Sequence, residues 1–303
     1  MGSLSEIMKA AGNMSAADFS LRGTLTPEQS HTLIDAVADS SDFLKKVQTV
    51  KTQSLQKDLT AIDLSNNILI QIAEGLEPTD AQKQKAAMIG CTLNLKPAQL
   101  FGFIGDSALE DNRHNPKFEQ ETFNAFAKSF GNNLTNLGFV GTTDAYASGT
   151  GFTTLNKGWI EIAKSDAATV KGTYEAGDSI SDRLVALAES INPDAAADSV
   201  ILIAPSDYQL YNRELAALNA PYYLIEGNAP RILGIPLEIN KFMPAGVYMA
   251  TPLKNLVLGA GLNVKRSREY HAAKRGLEYV FSIYQDYEIL IKKWVSILEE
   301  EEE

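Results

Sequence analysis

The pattern of apolar and polar positions is clearest in the central part of the chain. Residues 200–204 form a short apolar run that is typical of a buried strand. Ser206, followed three residues later by Gln209, predicts a capping-box helix start. Residues 232–239 and 247–250 have strand composition and are separated by a turn. None of these elements ends in a cluster of nucleophile, base or metal ligands, so the pattern indicates a fold more strongly than a reaction.

Three other segments have helical periodicity. Thr26-Pro27 is a typical helix start and precedes a narrow apolar stripe. Asn115-Pro116 begins the clearest helix, and Ser179 with Asp182 caps a third one. The clearest helix carries an apolar stripe at helical spacing, formed by Phe123, Phe126, Phe130, Leu134 and Leu137. We interpret this stripe as core packing and not as a cofactor site.

Between residues 47 and 95 the pattern becomes strand-like. Two apolar segments lie on either side of Ser65-Asn66-Asn67, and a second turn signal follows at 77–80. These segments carry too few large side chains to close a core alone. We therefore predict an extended hairpin whose stability depends on a partner surface. One edge of the main sheet is the open alternative for this region.

The two ends of the chain have different patterns. Residues 277–290 alternate between apolar side chains on one face and Ser282, Asp286 and Glu288 on the other, which predicts a long strand or strand pair with one solvent-facing side. Residues 299–303 are all glutamate, so we expect an acidic, solvated tail. The first 25 residues are polar and weakly patterned, which is typical of an arm that gains order on another surface.

Charge and composition narrow the classes of function. The 303 residues carry a formal net charge of -11. This balance argues against a protein that grips phosphate backbones, because such binding needs clustered Lys and Arg. It suits a container wall that must not adhere to a packaged polyanion. The single cysteine, Cys91, cannot form an internal disulfide, and neither a membrane span nor a signal peptide is evident, so we expect a protein made and used in cytoplasm.

No catalytic or metal-binding motif stands out. The three histidines are far apart and none has metal-ligand spacing. Gly259-Ala260-Gly261 comes nearest to a nucleotide-binding motif, but no helix pattern follows it, which favours a strand kink. The notable positive patch at 265–268 either contacts an acidic patch on a neighbouring subunit, contacts nucleic acid, or is a solvated loop. We therefore expect no enzyme activity, no cofactor and no metal.

The order of these elements resembles the major capsid proteins of tailed double-stranded DNA bacteriophages, and among them the contractile-tailed branch. Each motif alone is weak, but their order and spacing together are fairly specific. The segments that carry the resemblance are SSDFLKKV at 40–47, QETFNAFAKSFGNNLTNLGFVG at 120–141, NKGWIEIAK at 156–164, VILIAPSDY at 200–208 and ILGIPLEINKFMPAGVYMATPLKNL at 232–256.

The resemblance implies an α+β tailed-phage capsid fold, of the kind first seen in a Hong Kong lambdoid phage. This fold has an N-arm, an extended E-loop, a P-domain that holds a spine helix, and an A-domain. The implied ranges are 1–47 for the N-arm and first helix, 48–95 for the E-loop, 96–149 and 255–298 for the P-domain, 116–138 for the spine helix, 150–254 for the A-domain and 299–303 for the acidic tail.

The resemblance also implies a function and partners. The protein would be a major capsid protein that self-assembles into hexamers and pentamers of an icosahedral head, assembled in the host cytoplasm and retained in the virion. The head would enclose double-stranded DNA without sequence-specific binding, with portal, scaffold or decoration proteins as further partners and no membrane. The E-loop would lie across the P-domain of an adjacent subunit. The expected inter-subunit contacts are Leu59, Ile62, Leu64, Ile68, Ile70, Lys57, Arg266 and Arg268.

Two alternatives stay open at this point. Encapsulins, which are bacterial compartment shells that load enzymes, use the same fold. An αβ enzyme that acts on a small ligand beside Ser206 and Asp207 is the alternative from a different class.

Overall fold

Two six-stranded sheets and one two-stranded sheet organise the part of the chain that the computed structural model describes. The described residues are 23–24, 34–35, 37–38, 41–63, 77, 87–112, 114–115, 118–143, 151–217, 230–262 and 265–301. Helices lie against both large sheets. This mixture of helices and largely antiparallel strands is an α+β architecture.

Fourteen strands and five α-helices are present in these residues. The strands are β1 (Gly23–Thr24), β2 (Gln48–Thr52), β3 (Gln56–Asp63), β4 (Ala87–Asn94), β5 (Lys96–Gly105), β6 (Val170–Tyr174), β7 (Ser199–Ile203), β8 (Arg231–Ile232), β9 (Ile235–Ile239), β10 (Tyr248–Pro252), β11 (Leu256–Gly261), β12 (Lys265–His271), β13 (Gly276–Ile289) and β14 (Ser296–Glu300). The helices are α1 (Asp106–Asp111), α2 (Phe118–Val140), α3 (Trp159–Ser165), α4 (Ile180–Glu189) and α5 (Pro205–Ala217). Single-turn 3-10 helices span Phe152–Thr154, Leu253–Asn255 and Lys292–Trp294, and residues 34–35 and 37–38 are also helical.

We call the sheet of β1, β12, β13, β11, β2 and β5 the body sheet, and β13 organises it. Along one edge, β13 pairs antiparallel with the whole of β5. Along the other edge it pairs first with β12 and then with β11. β2 extends the sheet parallel to β11. One long strand therefore joins segments that are far apart in the sequence.

The alternation predicted for the end of the chain is confirmed as this single strand, with one correction. Its buried side carries Tyr279, Phe281, Ile283, Tyr287 and Ile289. The opposite side does not face solvent along its whole length, because Asp286 is only 6% exposed. The backbone N–H of Asn94 donates to Asp286 Oδ2 at 2.6 Å. The end of β4 therefore covers a position that the sequence pattern assigns to solvent.

Helix α2 lies against the buried side of β13, and its predicted apolar stripe is confirmed in part. Leu134 and Leu137 are buried, whereas Phe126 and Phe130 are half-buried. The side chain of Phe123 lies outside the described part of the structure. The helix therefore buries its C-terminal half more deeply than its N-terminal half.

Trp159, the first residue of α3, lies at the centre of the largest apolar cluster. Its ring meets the rings of Phe139 and Tyr287 edge-on, with centroids 5.6 and 5.1 Å away. The indole N–H donates to the carbonyl of Val257 at 3.0 Å. Gly138 lies directly against the ring, since a Cβ there would be 2.4 Å from Trp159 Cζ3. This side chain therefore joins α2, α3 and the body sheet.

The other six-stranded sheet, which we call the second sheet, has the order β6-β14-β10-β7-β9-β8. The expectation of an acidic tail from residue 299 is wrong for the first two residues, because Glu299 and Glu300 belong to β14 and pair with β6. Glu299 also forms an ion pair with Lys164. The range 255–298 for one domain is likewise interrupted, since β14 joins the second sheet. The backbone hydrogen bonds of a central strand hold these glutamates in place despite their charge.

Helices α4 and α5 pack against each other beside the second sheet, and their starts were predicted with different success. The cap of α4 is confirmed: Asp182 N–H donates to Ser179 Oγ at 3.1 Å. The capping box at Ser206 is wrong, because α5 already begins at Pro205. Proline suits the first helical position, so Ser206 lies inside the first turn. Its hydroxyl donates to Asp207 Oδ1 instead.

β3 and β4 form a two-stranded sheet of their own, which we call the hairpin. The strands pair antiparallel from Gln56 opposite Asn94 to Asp63 opposite Ala87. The open alternative was that this region forms one edge of the main sheet. It holds only for the flanking strands β2 and β5, which both belong to the body sheet. Of residues 64–86, the structure describes only residue 77.

The turn between β8 and β9 carries a strained leucine. Leu233 has φ +48° and is 65% exposed, and Gly234 follows with φ +86°. Positive φ at both central residues defines a turn that favours Asn-Gly, and a leucine there costs about 1 kcal/mol. We expect Leu233→Asn to raise the free energy of unfolding by about 1 kcal/mol in chemical denaturation. Leu55→Asn, at an exposed leucine without positive φ, is the control and should give no gain.

Candidate assembly surfaces

The contact residues predicted from the sequence fall on two different sheets. Lys57 and Leu59 lie on β3 of the hairpin, and so does the backbone of Ile62. Arg266 and Arg268 occupy β12 of the body sheet, in register with Phe281 and Tyr279 of β13. The structure does not describe Leu64, Ile68 and Ile70 or the side chains of Ile62, Arg266 and Arg268. The role of all eight residues in contacts between copies stays a prediction.

The base of the hairpin is attached to its own chain. Leu93 is fully buried between Val50 of β2 and Val257 of β11, and Leu59 is half-buried against the same cluster. The backbone N–H of Leu95 donates to the carbonyl of Leu55 at 2.7 Å and closes the base. Leu59 therefore has an apolar partner within this chain, which the sequence analysis expected only on a second copy.

Gly259 and Gly261 of β11 form a flat surface, which we call the seat, against which this base packs. A Cβ on Gly259 would lie 2.8 Å from Leu95 Cδ2 and 3.1 Å from Leu93 Cδ1, and a Cβ on Gly261 would lie 3.4 Å from Leu95 Cδ1. Glycine in a strand interior often marks such a close approach of another segment. The Gly-Ala-Gly motif is therefore explained by hairpin attachment.

An exposed aromatic pair lies on β5. Phe101 and Phe103 are 62% and 51% exposed, although they occupy a strand of the body sheet. Phe101 pairs with Val280 of β13, so the three side chains share one face of the sheet, which we call the aromatic face. Ile104 lies on the opposite face of β5 and is buried inside the chain. Exposed apolar clusters of this kind mark contact sites for other molecules.

The aromatic face is absent from the predicted contact residues, although the sequence contains a signal for it. Residues 99–104 read QLFGFI, which is an almost continuous apolar run where a half-exposed strand would alternate. Strands that are covered on both faces have this composition. One cover is α2, since a Cβ on Gly102 would lie 2.6 Å from Phe126 Cζ. On the other face, the described residues cover Phe101 and Phe103 only in part.

Polar groups surround the aromatic face. Glu278, opposite Phe103 in the register, accepts from His271 Nε2 at 3.0 Å and lies 3.5 Å from Lys274 Nζ. On the other side, Gln99 Nε2 donates to Ser282 Oγ at 3.1 Å. An apolar centre with a polar rim is the usual anatomy of a protein interface.

The carboxyl of Asp286 connects the hairpin base to the body sheet. Oδ2 accepts from the backbone N–H of Asn94, and Oδ1 accepts from Asn156 Nδ2 at 2.9 Å. Burial raises the pKa of Asp286, and the two hydrogen bonds only partly oppose that shift. Burial also raises the pKa of the neighbouring Glu288, with the charge of Asp286 as the next cause.

Solved structures with a similar fold come from protein shells. A chain of the satellite phage P4 procapsid that includes the size determination (Sid) protein aligns with a TM-score of 0.70 and 17% identity, covering 89% of this chain and 98% of that one. A chain from the capsid of an empty GTA particle covers 99% of both at TM-score 0.59 and 14% identity. The holo-SrpI encapsulin complex from Synechococcus elongatus PCC 7942 covers 99% and 95% at TM-score 0.58 and 10% identity. No family model matches the sequence, and no curated protein matches it.

The chain has the tailed-phage capsid fold. The expected α+β fold class is thereby confirmed, and several of its structural neighbours are phage capsids. The neighbours named above are structural shell proteins.

Within this capsid fold, the side chains considered as candidates for catalysis or metal binding have structural roles. Asp207 Oδ2 accepts from the backbone N–H of Gly246 at 2.8 Å, so the carboxylate beside Ser206 holds a loop. Burial raises the pKa of the Cys91 thiol to about 12, which disfavours a reactive thiolate. Across the described ranges, no group of three or more His, Cys, Asp or Glu could hold a metal ion. None of the helices described is long and apolar enough for a membrane span.

The raised pKa of Asp286 gives a pH prediction. The folded protein binds this proton more tightly than the unfolded chain, whose Asp pKa is about 3.9. That stabilisation is complete below about pH 4 and is lost as the pH rises through the folded pKa. We therefore expect the free energy of unfolding of wild type to fall, relative to Asp286→Asn, as the pH rises above about 4.

Urea denaturation at a series of pH values measures this difference. Asp42→Asn is the control, because Asp42 has a 98% exposed side chain. This variant makes the same Asp-to-Asn exchange at an exposed position, so any general effect of the exchange can be subtracted. A curve for Asp286→Asn that runs parallel to wild type would mean that Asp286 does not titrate with a raised pKa.

Proposed function

We propose that this chain is the major capsid protein of a tailed phage, which self-assembles into hexamers and pentamers of an icosahedral head around double-stranded DNA. The observation that carries the proposal is the capsid fold, aligned over 89% of this chain with a phage procapsid chain. We assign the protein to the contractile-tailed branch, and the support for this is the resemblance carried jointly by the five segments named in the sequence analysis.

Two surfaces support assembly from many copies. The hairpin leaves the body as a two-stranded sheet, and such a sheet is marginally stable without further cover. The aromatic face also requires cover from another surface, because Phe101 and Phe103 are apolar and exposed. We propose that the hairpin, as the E-loop, lies over the aromatic face of an adjacent copy. Each contact is modest, and a closed shell repeats it many times.

The division into domains follows from this assignment. Residues 1–47 act as the N-arm and first helix, 48–95 as the E-loop, 150–254 as the A-domain, and 96–149 with 255–298 as the P-domain. Helix α2 serves as the spine helix. The structure modifies two boundaries, because β2 lies in the body sheet and β14 lies in the second sheet.

Charge supports containment of DNA without sequence-specific binding. A net charge of -11 disfavours adhesion of the wall to a polyanion, and packaged DNA then stays mobile for ejection. Portal, scaffold or decoration proteins are the further partners of such a head, and the virion is its place of residence.

An encapsulin-type compartment is the second candidate. The observation that favours it is the SrpI encapsulin complex, which aligns with 99% of this chain. The two candidates share shell formation and differ in what the shell encloses. Nucleic acid inside particles from the native source supports the phage head, whereas enzyme cargo supports the compartment.

Electron microscopy of the purified chain tests shell formation. We expect closed shells, tubes or capsomers of hexameric and pentameric outline. A protein that stays monomeric at all concentrations, pH values and salt concentrations contradicts both candidates, and leaves the αβ enzyme as the alternative to examine.

A further inference from the structure

Beside the base of the hairpin, β13 carries a buried carboxyl, that of Asp286. It accepts from the backbone N–H of Asn94 and from the side-chain amide of Asn156, while the backbone N–H of Tyr287 and the charge of Lys96 also favour its ionised form. It lies at the junction where β4 ends and β5 begins, opposite Gly259 of β11 in the register. Burying a carboxyl opposes folding unless hydrogen bonds and nearby charge compensate, so packing alone does not explain an aspartate here.

The two partners of Asp286 belong to different parts of the molecule. Asn94 is the last residue of the hairpin strand β4. Asn156 is buried in the segment before α3 and is itself fixed, because its Oδ1 accepts from Lys157 N–H at 2.9 Å and its Nδ2 also donates to the Gln285 carbonyl. The carboxyl therefore connects the hairpin to a rigid point of the body.

The apolar seat and the carboxyl supply different properties. Leu93 and Leu95 rest on the glycines of β11, and such apolar contact is adhesive without being directional. The hydrogen bonds of Asp286 are directional, since N–H···O contacts weaken steeply when they bend. Rotation of the hairpin on its seat would keep most of the apolar contact and would break the bond to Asn94.

We infer that Asp286 is a positioning residue for shell assembly, which fixes the direction in which the hairpin leaves the body. The inference rests on the proposed function, because direction matters only if the hairpin must reach a second copy. The hairpin is long enough for a small rotation at its base to move its far end appreciably, because the eight residues of β3 extend about 26 Å. A rotation of roughly 10° at the base moves the far end by about 4–5 Å, close to one strand spacing.

The test compares Asp286→Ala and Asp286→Asn with Asp207→Asn in the full-length chain. Asp207 is a matched control, since it is equally buried and also accepts a backbone N–H, but on helix α5, away from the hairpin. Hydrogen exchange of subunits before assembly reports on residues 87–95. Electron microscopy reports on the yield and size distribution of particles.

For Asp286→Ala we expect a folded body, exchange at residues 87–95 at least about 10-fold faster, and particles that are fewer or heterogeneous in diameter. Asp286→Asn retains one of the two acceptor contacts and should show the same changes to a smaller extent. Asp207→Asn should leave both the exchange of 87–95 and the particle size as in wild type.

Three results would overturn the inference. Uniform wild-type shells from Asp286→Ala would show that direction is set elsewhere, and would leave the proposed function intact. Loss of folding in both Asp286 variants would make the residue structural. If wild type itself forms no shells or capsomers, the proposed function fails and the inference fails with it, whatever the exchange of residues 87–95 shows.

Discussion

Shortening the hairpin should abolish shells and leave a folded body. Lys57 and Leu93 are paired neighbours, so residues 58–92 can be replaced by a two-residue Asn-Gly turn that keeps the base. The body sheet and second sheet make their pairings without these residues, and Leu93 and Leu95 keep their seat. We expect a cooperatively folded monomer whose circular dichroism retains the helical signal of wild type, and no particles in electron microscopy.

A second variant tests the aromatic face, which is the proposed acceptor of the hairpin. Phe101 and Phe103 are about half buried in the isolated chain, so covering their remaining surface is worth about 2–3 kcal/mol for the pair. Phe101→Ser with Phe103→Ser should therefore weaken each subunit contact roughly 30- to 150-fold. The concentration at which particles appear by light scattering measures this effect.

The two variants together separate the assembly contact from simple damage. Leu210→Ser, at an exposed leucine on α5 of the other sheet, is the matched control and should assemble as wild type. If the shortened chain still forms regular shells, the hairpin is not the E-loop of this protein. Normal assembly of the Phe101 and Phe103 variant would instead remove the aromatic face as its acceptor.

Replacing Trp159 with alanine should have the largest effect on stability. The ring is fully buried, contacts Phe139 and Tyr287, and donates to the Val257 carbonyl. Removing it leaves a cavity between three elements and takes away the hydrogen bond to the Val257 carbonyl. We expect a loss of about 3–5 kcal/mol in the free energy of unfolding, which is a large part of the total for most domains.

Urea denaturation followed by circular dichroism measures this loss. Trp294→Ala is the control, because Trp294 is only partly buried and its indole N–H has no partner among the described residues. Its cost should be clearly smaller. A loss below about 1.5 kcal/mol for Trp159→Ala would show that the cluster collapses around the gap or contributes less than its burial indicates.

Local features of the chain were open to prediction from the sequence. The cap formed by Ser179 and Asp182 involves residues three apart, and the alternation of β13 repeats every second residue. Both are properties of a short stretch of chain, so a sequence pattern contains them. The order of such elements also indicated the α+β capsid fold, which the comparisons confirm. The prediction that the stability of the hairpin depends on a partner surface followed from its small number of large side chains.

Only the tertiary structure decided which faces are covered. Asp286 has the place of a solvent-facing residue in its strand, but Asn94, 192 positions earlier in the chain, covers it. Glu299 and Glu300 have the composition of a tail, but β6 pairs with them. Phe101 and Phe103 have the composition of a core and remain exposed. Sequence periodicity shows that a face is apolar or polar, whereas burial depends on distant segments, or other copies, that meet that face.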